Sequence, residues 1–124
     1  FIKGHTDWLE SGVDDNGSKR RDNWSKTDGT FVCPVGFRVP LKTEMIKETK
    51  AFSKKTKESA FNSFLKVGAG GDQNHSTGRF IRHGVTASLW IISKDKVEFI
   101  TTDKNGSFIP NIFAQGVSVR CIKD

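Results

Sequence analysis

The clearest alternation of apolar and polar positions lies near the end of the chain, in Val117-Ser118-Val119-Arg120-Cys121-Ile122, and predicts a strand with one buried face. Val97-Glu98-Phe99-Ile100-Thr101 alternates in the same way. Arg79-Phe80-Ile81-Arg82 and Ser88-Leu89-Trp90-Ile91-Ile92-Ser93 read as strands, and Asp103-Lys104-Asn105-Gly106 is a turn signal leading to another around Ser107-Phe108-Ile109. Cys33-Pro34-Val35-Gly36 reads as a turn and Phe37-Arg38-Val39 as a short strand ended by Pro40. From residue 41 to about 52 the period becomes helical, with Met45, Thr49 and Phe52 at i, i+4 and i+7. Residues 59–67 fit either a helical turn through Phe61, Phe64 and Leu65 or the opening of a strand at Phe64-Leu65-Lys66-Val67. Phe1-Ile2-Lys3 suits a short edge strand. The rest of the first thirty residues reads as ordered loop, in which Trp8 and Trp24 need burial as packing anchors. One helical region followed by an antiparallel sheet with long loops is an α+β domain.

Composition narrows the picture. A chain of 124 residues is one domain, and 35% apolar residues with 12 Gly favour a loop-rich fold over a helical bundle. No apolar run approaches the length of a membrane span. The start at Phe1 reads as a fragment or a mature product of a longer chain. Lys and Arg outnumber Asp and Glu by 20 to 14, which suits solubility and weak attraction to anionic surfaces. Two cysteines, Cys33 and Cys121, are consistent with one disulfide and an oxidising compartment, or with two unrelated thiols.

Cys33-Pro34-Val35-Gly36-Phe37-Arg38-Val39-Pro40, followed by Glu44, resembles the signature Cys-Pro-x-Gly-aromatic-Arg-Val/Leu-Pro-Thr-x-x-Glu-Trp of the Fibrobacter succinogenes major paralogous (FISUMP) domain family. Phe64-Leu65-Lys66-Val67 with the glycines after it, Ser88-Leu89-Trp90-Ile91-Ile92-Ser93, and the ending Gly116-Val117-Ser118-Val119-Arg120-Cys121-Ile122-Lys123-Asp124 are similar to further family segments, as are Asp7-Trp8 and Asn23-Trp24. The chain departs from the pattern at Leu41, which replaces a Thr and removes an N-cap side chain. Met45 stands in for a Trp, Ile91-Ile92 interrupts a Trp-Ser-Ser, and Gly71-Asp72 occupies the place of an Arg. The resemblance implies a C-type-lectin-like fold with one or two helices, a small antiparallel sheet, long loops, and ends close together and tied by a disulfide. Cys33 and Cys121 sit at the positions of that bridge, with Arg38 and Arg120 as structural residues beside it. It implies a secreted or surface protein of Bacteroidetes or Fibrobacteres, and related lectin-like folds serve phage receptor-binding proteins. It implies no catalytic role.

Local motifs for chemistry are sparse. His5, His75 and His83 lack metal-ligand spacing, so no zinc site is expected. Gly68-Ala69-Gly70-Gly71 is not followed by Lys-Ser/Thr; it reads as a flexible turn, not a phosphate loop. No nucleophile carries a recognisable motif, and the cysteines occupy structural positions, so no enzyme is expected. Ile109-Pro110-Asn111 is the nearest approach to the sugar-binding tripeptide of calcium-dependent lectins, but it lacks the carboxylate. Asp72, Asn74 and Asp103 are the oxygens available for a minor calcium reading. Lys47, Lys50, Lys54 and Lys57 share a helical spacing, but Glu44, Glu48 and Glu58 dilute them, so nucleic acid is not an expected partner. A calcium-independent binding face is expected on the loop carrying Asp72, Gln73, Asn74, His75, Arg79, Arg82 and His83, bordered by Asn105, Asn111 and Gln115. The expected function is non-enzymatic recognition of a cell-surface glycan or protein. The alternative is an assembly domain in a surface, pilus-like or virion array, with neighbouring subunits as partners.

Overall fold

The computed structural model describes residues 7, 9–14, 16–50, 57–62, 66–94, 97–101, 108–110 and 114–124, and for 57, 97–101 and 108–110 the backbone alone. These form a small α+β domain. In chain order its elements are α1 (Ser18–Trp24), β1 (Phe37–Arg38), α2 (Lys42–Lys50), α3 (Lys57–Asn62), β2 (Asp72–Gln73), β3 (Phe80–Ile81), β4 (Ser88–Ile92), β5 (Val97–Thr101), β6 (Phe108–Pro110) and β7 (Ile122–Lys123). The described strands form three antiparallel sheets: β1 with β7, β2 with β3, and β4-β5-β6. No described helix is long and apolar enough to cross a membrane.

Strand β4 is the spine, and all five of its residues are buried. Its period-2 geometry sends alternate side chains to opposite faces. Leu89 and Ile91 join Met45, Ala60, Val67 and Ala87 in one apolar cluster. On the other side, Ile92 packs with Cys33, Val39, Trp24 and Cys121, and Trp90 meets Trp24 edge-on at 5.4 Å between ring centroids. One edge of β4 pairs with β5 along its full length, Trp90 opposite Phe99. The other edge takes two separate chain segments: the Ile92 amide donates to the Pro40 carbonyl at 2.9 Å and the Trp90 amide to the Ser118 carbonyl at 3.0 Å. A strand read as continuous apolar sequence is thus covered on both faces and both edges.

The chain differs from expectation in two stretches. Residues 18–24 are helical where loop is expected, since no apolar 3.6-residue period marks them. The helix is held from outside instead. The buried carboxylate of Asp14 accepts the Lys19 and Arg20 amides at 2.7 and 3.0 Å and the Arg20 guanidinium at 3.1 Å, while Asp7 takes the other side of Arg20. At the other end, residues 117–122 do not form one strand. Gly116 bridges Gln73, Ser118 bridges Leu89, and only Ile122–Lys123 lies in a ladder, with β1. The segment shares its backbone bonds among three partners, so its period-2 pattern has no single sheet to face. Residues 1–3, Trp8 and the turn at 103–106 lie outside the described residues.

Cys33 and Cys121 are joined in a disulfide, beside the β1–β7 pair. Arg38 closes the same corner. It donates from Nη1 and Nη2 to the two oxygens of Glu44 at 2.9 and 2.8 Å, and from Nε to Asp124 at 2.7 Å. Leu41, which lacks a capping side chain, begins α2 because Glu44 reaches back to accept its amide at 2.7 Å. That is one half of a capping box, and it needs only the acid three residues on.

The Arg38 guanidinium, then the Leu41 amide, hold the Glu44 carboxyl below the usual carboxylate range against the opposing effect of its burial. The folded state therefore binds this proton less tightly than the unfolded chain does. The resulting stability is complete above the ordinary glutamate range and is lost as pH falls through the depressed folded value. Urea titrations between about pH 6 and pH 3 are expected to show part of the acid loss of the wild type missing in Glu44→Gln. Equal acid losses in both proteins would exclude this origin.

Candidate functional site

The expected binding loop is a built structure. Hairpin β2–β3 turns through residues 74–78, where the Asn74 side-chain oxygen accepts the Ser76 and Thr77 amides at 3.0 and 2.9 Å and the Gly78 amide donates to the Asn74 carbonyl at 2.8 Å. Asn at such a position folds the backbone on itself. Gln73 donates from its side-chain amide to the Gly78 carbonyl at 3.0 Å. Behind the hairpin, Asp72 is fully buried and accepts from Arg82 Nε and Nη2 at 2.9 and 2.7 Å, and from the Gln115 side-chain amide. Gln115 in turn accepts the His75 amide at 3.4 Å, and Gln73 and Gly116 exchange backbone bonds of 2.7 and 2.9 Å.

Most of the predicted polar set therefore orders the loop. Asp72, Gln73, Asn74 and Arg82 spend their polar groups on the hairpin and its dock, whereas Arg79 and His83 are exposed. His75 is half-buried on the turn, and Asn105 and Asn111 lie outside the described residues. Of the oxygens in the calcium reading, Asp72 is taken up by Arg82 and Gln115, Asn74 by its turn, and Asp103 lies outside the described residues. Among the described residues no group of three or more His, Cys, Asp or Glu is placed to hold a metal ion.

Gly71 is tightly packed where a flexible turn is expected. It has φ +67°, and a Cβ there would lie 2.4 Å from the Ile81 carbonyl oxygen and 2.6 Å from the His83 nitrogen. Both neighbours are backbone and cannot swing aside. Gly71→Ala is expected to cost about 2–3 kcal/mol in urea unfolding, from left-handed strain plus overpacking. Gly36→Ala has similar φ but open space around the added methyl, and should cost only about 1 kcal/mol. Equal costs would mean that packing against β3 contributes nothing.

A groove of about 440 Å³, unsignalled by the sequence, lies between residues 66–70 and 118–120. Val67 and Leu89 supply its apolar floor, and Lys66, His83 and Arg120 are exposed along it. Arg120, expected as a structural residue near the joined ends, directly precedes the bonded Cys121 and also lines this groove. Of the groove's residues only His83 belongs to the expected binding face; the lining comes from segments far apart in the chain, so no local spacing signals it. Also missed is Phe80, 75% exposed on β3 next to Arg79.

Trp90, in contrast, is buried in the sheet, and Trp24 packs against the disulfide cluster, as their anchoring role requires. Comparison with family models, with curated proteins and with solved structures finds no match to this chain.

Proposed function

We propose that this chain is a non-enzymatic extracellular recognition module, a C-type-lectin-like domain of the FISUMP kind. It would belong to a bacterial surface protein or a phage receptor-binding protein and bind a glycan or protein through the loops after residue 67. The observation that carries the reading is the division of labour in those loops. A buried polar set (Asp72, Arg82, Gln115) fixes the hairpin, and a second set (Arg79, Phe80, His83) is presented on it to solvent. Binding surfaces held rigid before contact lose less entropy when they engage a partner. The disulfide supports an oxidising, extracellular setting. The end motifs support the family assignment, since Cys33, Arg38, Glu44, Cys121 and Asp124 meet in one corner.

A glycan-array screen with calcium and with EDTA tests this. Retained binding in EDTA is the expected result; binding that vanishes would restore a metal site, and a blank array in both conditions would overturn glycan recognition. One observation favours the second reading, an assembly domain: Phe61, Phe80 and Val85 are 57%, 75% and 61% exposed. Concentration-dependent self-association by sedimentation, abolished in Phe80→Ser, would support it.

A further inference from the structure

We infer that the groove between residues 66–70 and 118–120 is a binding site for an anionic group of a saccharide, a carboxylate or a sulfate. The inference rests on the recognition reading above and names its ligand chemistry. Three features of the groove converge on it.

The first is charge without compensation. Lys66, His83 and Arg120 line the groove, no Asp or Glu is among its described lining residues, and none of the three is paired with a carboxylate among the described residues. Elsewhere Arg20, Arg38 and Arg82 each hold a carboxylate; among the described residues Arg79, on the exposed hairpin, shares with Arg120 the lack of one. A second hollow, of about 390 Å³, beside Arg21, Lys42 and Lys94 shows the contrast, because Arg21 there is bonded to Asp22 and to the Lys94 carbonyl.

The second feature is backbone strain. Lys66 and Arg82 are the non-glycine residues with positive φ among those described, at 50° and 56°. Lys66 lines the groove and Arg82 immediately precedes His83, which also lines it. A left-handed conformation at a residue with a long side chain disfavours the fold, and such strain collects where a site is held in shape.

The third is form. The wall at Gly68-Ala69-Gly70 carries almost no side chain, so a ring can approach the backbone closely, while Ser118 offers a hydroxyl opposite. Val67 and Leu89 provide an apolar floor for the C–H face of a sugar ring. An anion beside Lys66 and Arg120 would gain charge-assisted hydrogen bonds that a neutral sugar cannot make.

The test is a titration of the 124-residue chain, followed by amide NMR shifts, with a sulfated heparin-type oligosaccharide and with oligogalacturonate. Fully methyl-esterified oligogalacturonate and maltoheptaose serve as the neutral counterparts. Either or both acidic ligands should bind, with shifts centred on residues 66–70, 83 and 118–120, and the two arms show whether sulfate or carboxylate is preferred. Lys66→Gln with Arg120→Gln should weaken that binding roughly tenfold or more. Lys19→Gln with Lys50→Gln, two exposed lysines that do not line the groove, should leave it nearly unchanged. Neutral ligands binding as well as acidic ones would overturn the anionic assignment while leaving saccharide recognition intact. Shifts centred elsewhere, or equal weakening by the two double variants, would reduce the effect to general attraction by a basic protein and overturn the site. No binding of any of the four saccharides would overturn the anionic site, while the recognition reading would still stand or fall on the glycan array. The wild-type shift map decides the location even if a variant folds poorly.

Discussion

Replacing Cys33 and Cys121 together by alanine is expected to lower stability by roughly 4–5 kcal/mol, the loop-closure entropy returned to the unfolded chain when a bridge across this separation is removed. The bridge spans 88 positions of a 124-residue sequence, so it constrains most of the unfolded ensemble. What remains at that corner is weak by comparison: a two-residue pairing of β1 with β7, the Asp124 amide donating to the Gly36 carbonyl at 3.0 Å, and the half-exposed Arg38–Asp124 pair. Exposed ion pairs contribute at most about 1 kcal/mol. The melting temperature should therefore fall on the order of 15 °C without reductant, and reductant should lower the wild type toward the variant. A melting temperature unchanged by the double substitution would show that the disulfide does not staple the fold.

The second large effect is expected at Arg82. Truncation to alanine leaves the Asp72 carboxylate, with no side-chain exposure, facing the Gln115 amide as its remaining side-chain partner among the described residues. An uncompensated buried charge costs about 3–5 kcal/mol; the 35% exposure of the Arg82 side chain, which lets some water follow, places the expectation near the lower figure of about 3. Asp72→Asn in the Arg82→Ala background removes the charge and should recover part of the loss, giving a coupling between the two positions in a double-mutant cycle. Arg82→Lys should fall between, because an ammonium cannot reproduce the paired Nε and Nη2 bonds. Additive effects at the two positions would mean that the ion pair does not clamp the two arms of the hairpin together.

These two residues also mark where the sequence stops being informative. Glutamine, asparagine, arginine and aspartate in a polar glycine-rich run read as a surface that could bind a ligand. Whether each does so depends on whether another segment satisfies it first. Gln115 arrives at Asp72 from 43 positions away and converts a candidate ligand into a structural carboxylate. Arg120, expected as support beside the disulfide, also lines a groove that no local spacing signals.

Elements with strong periodic or turn chemistry are legible from the residues alone. The strand at 88–92 and the one at 97–101 follow from runs of β-branched and aromatic residues, the helix at 42–50 from its spacing after Pro40, and the turn at 33–36 from Pro and Gly. The sequence also placed Cys33 and Cys121 in two segments able to meet. Long-range contacts alone settled that residues 18–24 are helical, that the final segment divides its hydrogen bonds among three partners, and that Lys66, His83 and Arg120 line one groove with a glycine-rich wall. The physical reason is the range of the interactions. Periodicity, caps and turns act over a few residues and are written locally, whereas neutralisation of a buried charge and the lining of a groove depend on partners tens of positions away that only the fold brings together.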